Sequence, residues 1–407
     1  MSDDAPRCVA AATGPIDGHD PYGAFARDLV SRGYTPRTIE TKMYGLRAFE
    51  RWLAERPVAC DAVDERTIDA FLRTQRDGRA RHGRTLGDFL AHLRAAGLAA
   101  LPPPAPPSLV DGWLQRYERH LRVERGLCQT TIATHLWVAR PFLAQHLSAA
   151  GSVSLTAADV STYLQGEVAK RSLPRAKHVV WVLRALLRYL FQEGYTRDLS
   201  PAVLTVRDWR LSTMPKALPP PDVERVLAAC PRDTAIGRRD RAILLLLARL
   251  GLRAGEVVAL ELDDLDWRAG TISIRAKKGL RQERLPLPVD VGRAVATYLR
   301  RDRPEGVGRR VFLRVRAPRG GFRGTSGVGS VVQKALARAD LHPPRRGAHL
   351  LRHSLAVRML GHGASFGEIG AVLRHRGAAS TEIYAKVDLA RLRAVVQPWP
   401  GSAGGAQ

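Results

Sequence analysis

Residues 251–288 read GLRAGEVVALELDDLDWRAGTISIRAKKGLRQERLPLP. The stretch changes period partway. AGEVVALEL has the spacing of a short helix, whereas TISIRA (271–276) and RLPLP (284–288) alternate as strands do, on either side of KKGLRQE. A hairpin behind a helix is therefore expected. Upstream, DRAILLLLARLG (240–251) is an apolar helical run that stops on a glycine. Downstream the pattern predicts helices only: VGRAVATYLRR (291–301), GSVVQKALARA (329–339), AHLLRHSLAVRML (348–360), SFGEIGAVLRH (365–375) and TEIYAKVDLARLRAVV (381–396). Ser365 and Glu368 have capping-box spacing. This part of the chain reads as α+β with a small antiparallel sheet.

Two proline-rich breaks, LPPPAPP (101–107) and MPKALPPP (214–221), separate it from two earlier segments. The middle one carries four helical patterns: 108–121, 130–147, 156–168 with Thr156 as N-cap, and 176–194. The first repeats that plan. With residues 33–53 set against 126–146, identities fall at Gly33/Gly126, Thr38/Thr131, Ile39/Ile132, Thr41/Thr134, Arg47/Arg140 and Phe49/Phe142, where ordinary residue usage gives about one. VDERTIDAFL (63–72) likewise parallels LTAADVSTYL (155–164). Any two amphipathic helices rhyme to some extent, so the repeat is an expectation to test. The fold class expected is mainly α: all-α N-terminal helical domains followed by an α+β domain. The expected divisions are a disordered N-terminus (1–21), an additional helical domain (22–100), a helical domain (108–213), the α+β domain (215–396) and a flexible tail (397–407).

Charge narrows the partner. The 407 residues hold 64 Lys and Arg against 39 Asp and Glu, a formal net charge of +25, so the expected partner is a polyanion, with nucleic acid first. A membrane surface fits less well: the longest apolar run, AILLLLARLGL (242–252), is broken by Arg249 and is far short of the ~20 residues a spanning helix needs. The start, MSDDAPRCVAAATG, lacks the basic-then-apolar layout of a signal peptide. Cys8, Cys60, Cys128 and Cys230 have no CxxC spacing, so reduced thiols are expected, with neither a disulfide framework nor a zinc site.

Four patches of the last segment place phosphate-compatible groups at element ends or on one helix face. Arg253 lies just past a helix, and Lys278 lies in the hairpin. His349 and Arg352 are three apart, hence on one helix face, and His375 lies at a helix end, nine residues before Tyr384. Each has a plainer reading: a C-cap partner, a solvated lysine, a packed tyrosine whose tip finds a hydrogen bond. The His349/His353 pair has i, i+4 metal-site spacing, but no Glu follows as in HExxH, and Arg352, Arg374 and Arg376 would repel a dication.

Together, GLRAGEVVALELDDLDW, KKGLRQERLPLP, HLLRH, LRHRG and IYAKV resemble the tyrosine recombinase (phage integrase) family, in its order and spacing, over residues 215–396. The middle helices resemble that family's core-binding (SAM-like) DNA-clamp domain, and 22–100 would be a diverged copy of it. The resemblance implies that Arg253 and Arg352 grip the non-bridging oxygens of a scissile DNA phosphate, that His349 and His375 complete the cradle, that Lys278 reaches the leaving 5′ oxygen, and that Tyr384 is the nucleophile. Glu256 and Asp264 match positions that buttress the site. One departure is visible: Arg374 stands where the family often has glycine.

Chemistry agrees with the resemblance. Planar guanidinium groups match the equatorial oxygens of a phosphoryl transition state. A phenol with a pKa of about 10 needs cations and a base to attack at neutral pH. Lys278, crowded by Lys277 and Arg281, is placed to act as an acid. No metal or cofactor is expected. The implied partners are double-stranded DNA, further copies of the chain in a tetrameric synapse, and companion recombinases, in a cytoplasmic, nucleoid-associated setting. Arg37, Lys42, Arg47 and Arg51 of the first segment, and Arg140 and Lys177 of the middle one, are the DNA-binding candidates, with Met43, Leu46 and Phe49 facing inward. Rival readings are a type IB topoisomerase, a catalytically silent DNA-binding subunit and a metal-dependent nuclease.

Overall fold

The computed structural model describes residues 20–56, 62–75, 79–101, 108–148, 153–205, 215–275, 282–305, 307–375, 377 and 380–387. They fall into two compact units, one within 1–100 and 213–407, the other within 101–212. Among the described residues the protein is mainly helical, with two small antiparallel sheets after residue 260; the change of period at 251–288 accounts for the first, and the second, at 313–321, lies where the sequence pattern predicts helices only.

Among the described residues of 20–100 four α-helices stand out: α1 (Pro21–Ser31), α2 (Pro36–Ala54), α3 (Glu65–Thr74) and α4 (Arg79–Ala95). Asp20, Thr35 and Asp64 cap the first three by accepting from main-chain N–H groups three residues on, and proline at the start of α1 and α2 presets the helical φ. Leu46 and Phe49 are fully buried among Phe25, Phe71, Phe89 and Leu93, with Met43 packed at the edge of this core. The inward spacing read on α2 is therefore found.

The middle unit holds α5 (Leu109–Arg119), α6 (Gln129–His146), α7 (Ala157–Ala169) and α8 (Leu173–Gln192). Thr156 caps α7 in a reciprocal box with Asp159, and Ser108 with Asp111 does the same for α5. α5 runs on into one π turn at His120–Glu124. Trp113, Tyr117, Phe142, Leu183 and Leu187 are central to a separate core.

The rest of the first unit holds α9 (Pro220–Ala228), α10 (Ala235–Arg249), α11 (Ala254–Ala259), β1 (Leu265–Asp266), β2 (Thr271–Arg275), β3 (Gln282–Pro286), α12 (Val289–Arg301), β4 (Leu313–Arg314), β5 (Gly320–Gly321), α13 (Thr325–Arg338), α14 (His349–Gly361) and α15 (Phe366–Leu373). Ile243 to Leu247 are each 1% exposed or less, so α10 is the central helix, with α9, α12, α13 and α14 packed around it. The sheet order is β1-β2-β3. Thr271 faces Pro286, Ser273 faces Arg284 and Arg275 faces Gln282, the expected hairpin. Its turn, with Lys277 and Lys278, lies outside the described residues.

The last described element also differs from its expected form. Residues 381–396 read as a helix, but Glu382–Val387 is a 3-10 turn, and 388–396 lie outside the described residues. The Tyr384 N–H donates to Thr381 O at 3.0 Å, an i to i+3 bond that tightens the backbone. Tyr384 is thereby turned into a small core with Leu355, Ile369 and Leu373, where it is 1% exposed.

Candidate active site

The site begins where α10 stops. Gly251 adopts φ +59°, and a Cβ there would lie 2.6 Å from Leu373 Cδ2 and 3.0 Å from Leu355 Cδ2. Only glycine satisfies both the left-handed backbone and the close approach. The turn delivers Arg253 to the N-cap position of α11. There its main-chain N–H and its Nη1 each donate to the Glu256 carboxylate at 2.8 Å, and its Nη2 donates to Arg374 O at 2.8 Å. Arg253 is thus fixed at three points while its side chain stays 39% exposed.

Arg352, on the first turn of α14, is 4% exposed and donates to Gly251 O and Leu373 O. Those carbonyls belong to Gly251 itself and to Leu373, the last residue of α15, so both chain reversals are tied to one guanidinium. Burial, then Arg253 and Arg374, hold its pKa down to about 10. Arg374 sits at φ +55°, just past α15, and its Nη2 donates to Glu256 at 2.8 Å. Burial pushes the Glu256 carboxyl up, but Arg374 and the hydrogen bonds from Arg253 outweigh it and the group is held below its ordinary value. Two guanidiniums, those of Arg253 and Arg374, therefore bind one central carboxylate, and Arg352 lies near enough to feel its charge, with Glu283 3.7 Å from Arg374 at the margin. The surplus positive charge, partly desolvated, makes a seat for an anion.

The imidazoles border this seat. His349 faces solvent on the first turn of α14, and His353 lies one turn further. His353 Nδ1 and the Tyr384 hydroxyl are hydrogen-bonded at 2.8 Å. Burial, then His349 and Arg352, push His353 down to about 4; burial, then Arg352 and Arg253, do the same for His375. His349, open to solvent on one side, is lowered as well, by the desolvation of its inner side and then by Arg352 and Arg253. His375 Nδ1 and Thr381 Oγ1 are bonded at 2.7 Å, which ties the end of α15 to the turn bearing the tyrosine. Burial pushes the Tyr384 phenol up to about 12, and Arg352 pulls the other way.

Of the residues singled out in the sequence, Arg253, Arg352, His349, His375, Tyr384 and Glu256 are gathered here. Lys278 lies outside the described residues. Asp264 acts one step away: it accepts from Arg275 Nε at 2.9 Å and from Glu261 N–H at 2.9 Å, anchoring the end of β2. Two contributors were read differently in the sequence. The sequence presents His353 as half of a metal-spaced pair, and Arg374 as a departure from the family's glycine that adds charge and bears on the local geometry. The signal for Arg374 was the glycine expected at its position, which marks a left-handed backbone. Elsewhere, Arg37, Arg47 and Arg51 are exposed on α2. Lys42 is committed to Asp88 at 3.2 Å and lies over the Tyr34 ring. Arg140 pairs with Asp111 at 2.8 Å, and Lys177 is half-buried on α8.

Among the described residues, no three His, Cys, Asp or Glu side chains are gathered so as to hold a metal ion, and no helix is long and apolar enough to cross a membrane. Residues 216–391 match the family model described as the phage integrase family. A Sinorhizobium fredii protein provisionally named integrase/recombinase y4rA is 44% identical over 93% of this chain and 94% of its own length. Tyrosine recombinase XerD of Mycobacterium tuberculosis is 31% identical over 71% of this chain and 96% of its own. Among solved structures, a XerH site-specific recombinase bound to palindromic difH substrate has a TM-score of 0.56 at 18% identity, covering 70% of this chain and 83% of that one. A lambda integrase dimer bound to a COC′ core site has a TM-score of 0.53 at 17% identity, covering 78% and 89%. With an arginine-lined anion seat beside a buried tyrosine, and full-length relatives at this identity, the chain belongs to the phage integrase, or tyrosine recombinase, family of DNA-cleaving and rejoining enzymes.

Proposed function

We propose that this protein is a site-specific recombinase that breaks and rejoins duplex DNA through a 3′-phosphotyrosine at Tyr384, in the integration, excision or transposition of a mobile element. The observation that carries the reading is the phenol of Tyr384 beside the Arg253, Arg352 and Arg374 cluster, whose charge exceeds that of Glu256. A scissile phosphate occupies the anion seat, with Arg253 and Arg352 on its non-bridging oxygens and His349 and His375 alongside. Glu256 and Asp264 position arginines and do not react.

At rest the phenol is inert: with His353 at about 4 and Tyr384 at about 12, their hydrogen bond does not pass a proton. A bound phosphate raises the imidazole by its negative charge and brings the guanidiniums to bear on the forming phenolate. The phenolic proton then moves to His353. Tyr384 Oη bonds to phosphorus, the bond to the 5′ oxygen breaks, and that oxygen takes a proton from Lys278. The phosphotyrosine conserves the bond energy, so a 5′ hydroxyl from the same or another duplex reverses the step.

Assembly on DNA as a homo-oligomer, with four copies in the synapse, fits relatives captured as a dimer on a core site and as a tetramer on a Holliday junction. Companion recombinases are a further arm of the same proposal. Sequencing the DNA ends covalently trapped on the protein in cells tests the reading. One recurring sequence, cut at two fixed points, is expected; scattered ends, or none, overturn it.

A further inference from the structure

We infer that residues 20–100 are a second copy of the four-helix module formed by 108–203, and that the groove between α2 and α4 of this copy seats the backbone of duplex DNA. The first half of the inference rests on backbone geometry. α1 packs on α2, α2 on α4 and α3 on α4; α5 packs on α6, α6 on α8 and α7 on α8. Glycines with left-handed backbone mark the same two places in each copy: Gly33 (φ +77°) and Gly126 (φ +55°) ahead of the second helix, Gly97 (φ +73°) and Gly194 (φ +76°) after the fourth. The closing bonds agree, with Leu98 N–H to Leu93 O and Tyr195 N–H to Leu190 O both at 2.8 Å. So do the entry bonds, Ile39 N–H to Thr35 O and Ile132 N–H to Cys128 O, both at 3.0 Å. Phe49 and Phe142, matched in sequence, are both fully buried. Two unrelated bundles need not share glycine positions, main-chain entry and closing bonds and packing order at once.

The second half rests on what the copies do not share. A groove of about 570 Å³ is walled by Arg37, Thr38, Thr41 and Lys42 of α2 and by His82 and Arg84 of α4. Arg37 and Arg84 are exposed and make no ion pair among the described residues. Lys42 is held in the wall by Asp88 and Tyr34. At the positions matching Lys42 and Arg84 the middle module has His135, bonded to Tyr117, and Trp181. The cationic lining thus belongs to the first copy alone. Arg37 also stands in the first turn of α2, where the helix dipole adds positive potential. Cations spaced along two helices over an open groove suit a run of phosphodiesters more than a single small anion. The choice of DNA as occupant rests on the recombinase reading.

The test measures binding of the full-length protein to a mixed-sequence duplex as a function of salt. Arg37→Gln/Arg84→Gln removes two phosphate contacts, so the log–log salt slope should become shallower by about 1.8. Arg66→Gln/Arg73→Gln on α3 removes the same charge outside the groove and should leave the slope unchanged. Both pairs are exposed, and unchanged thermal melting establishes that each variant is folded. Equal slopes for wild type and the groove variant, or equal losses in both variants, overturn the inference. The two readings fail separately. A slope loss confined to the groove variant, without any covalent adduct from the wild type, removes the recombinase reading only. An adduct with equal slopes removes the groove only.

Discussion

His353 Nδ1 and the Tyr384 hydroxyl stand 2.8 Å apart, joining α14 to the 3-10 turn while the tyrosine ring is 1% exposed. This contact satisfies a buried polar tip and, in the mechanism proposed above, is the route by which its proton leaves.

Substitution separates those roles. His353→Phe leaves the hydroxyl buried without its partner, at a cost of about 1–3 kcal/mol in stability. His353→Gln keeps a hydrogen bond but no base, so stability should stay near wild type while cleavage falls by about 10². Urea titration and single-turnover cleavage of a nicked duplex measure the two effects. Wild-type cleavage by His353→Gln would reduce His353 to a positioning residue.

Gly251→Ala tests the turn that holds both arginines. The new Cβ meets Leu373 and Leu355 at a positive φ, and relief of either clash moves the carbonyl that Arg352 uses. A destabilisation of about 2–4 kcal/mol is expected, with cleavage reduced in the folded fraction. Unchanged melting and cleavage would mean that the turn does not position the site.

Much of this was legible in the sequence, for local reasons. Ser365 and Thr156 sit at cap spacing and cap their helices, and the switch from helical to alternating period at 251–288 becomes α11 and the β2-β3 hairpin. What was not legible depends on contacts distant in sequence. The bond between Arg253 and Arg374 O spans 121 residues and that between Arg374 and Glu256 spans 118, and no local pattern encodes either. The 3-10 turn at Tyr384 escaped for the opposite reason: its residues have helical periodicity, and the tertiary pull on one side chain decides the backbone. Lys42 reads as a free cation until Asp88, 46 residues away, is brought to it.

Stability should depend on pH through the neutral histidines. His353, His375 and the buried His135 each have a folded pKa of about 4, below the ordinary histidine value of 6.5, with burial the first cause in all three. Between those values the unfolded chain binds protons that the fold does not. The contribution is therefore complete above about pH 6.5 and is lost as pH falls toward 4, at no more than about 1.4 kcal/mol per pH unit per group. Urea titrations at pH 7.5 and pH 5 should show the loss, and His353→Gln should reduce it. Greater stability at pH 5 would contradict the buried, neutral assignment.

Arg253→Lys and Arg352→Lys should each lower cleavage by about 10² or more, because a point charge replaces a planar clamp on the transition-state oxygens. Duplex affinity should change much less, since other cations of the +25 chain hold the backbone. Cleavage and affinity are measured on the same nicked duplex. Parallel losses would make these arginines binding groups only.

The central claim is that the Tyr384 oxygen forms the covalent bond to DNA. Wild type and Tyr384→Phe, incubated with a nicked duplex and separated on a denaturing gel, should differ completely: an adduct for the wild type, with mass spectrometry placing a 3′-phosphate on the Tyr384 peptide, and none for the variant at undiminished DNA affinity. A DNA adduct that persists in Tyr384→Phe, or a wild-type adduct on another residue, would contradict the account.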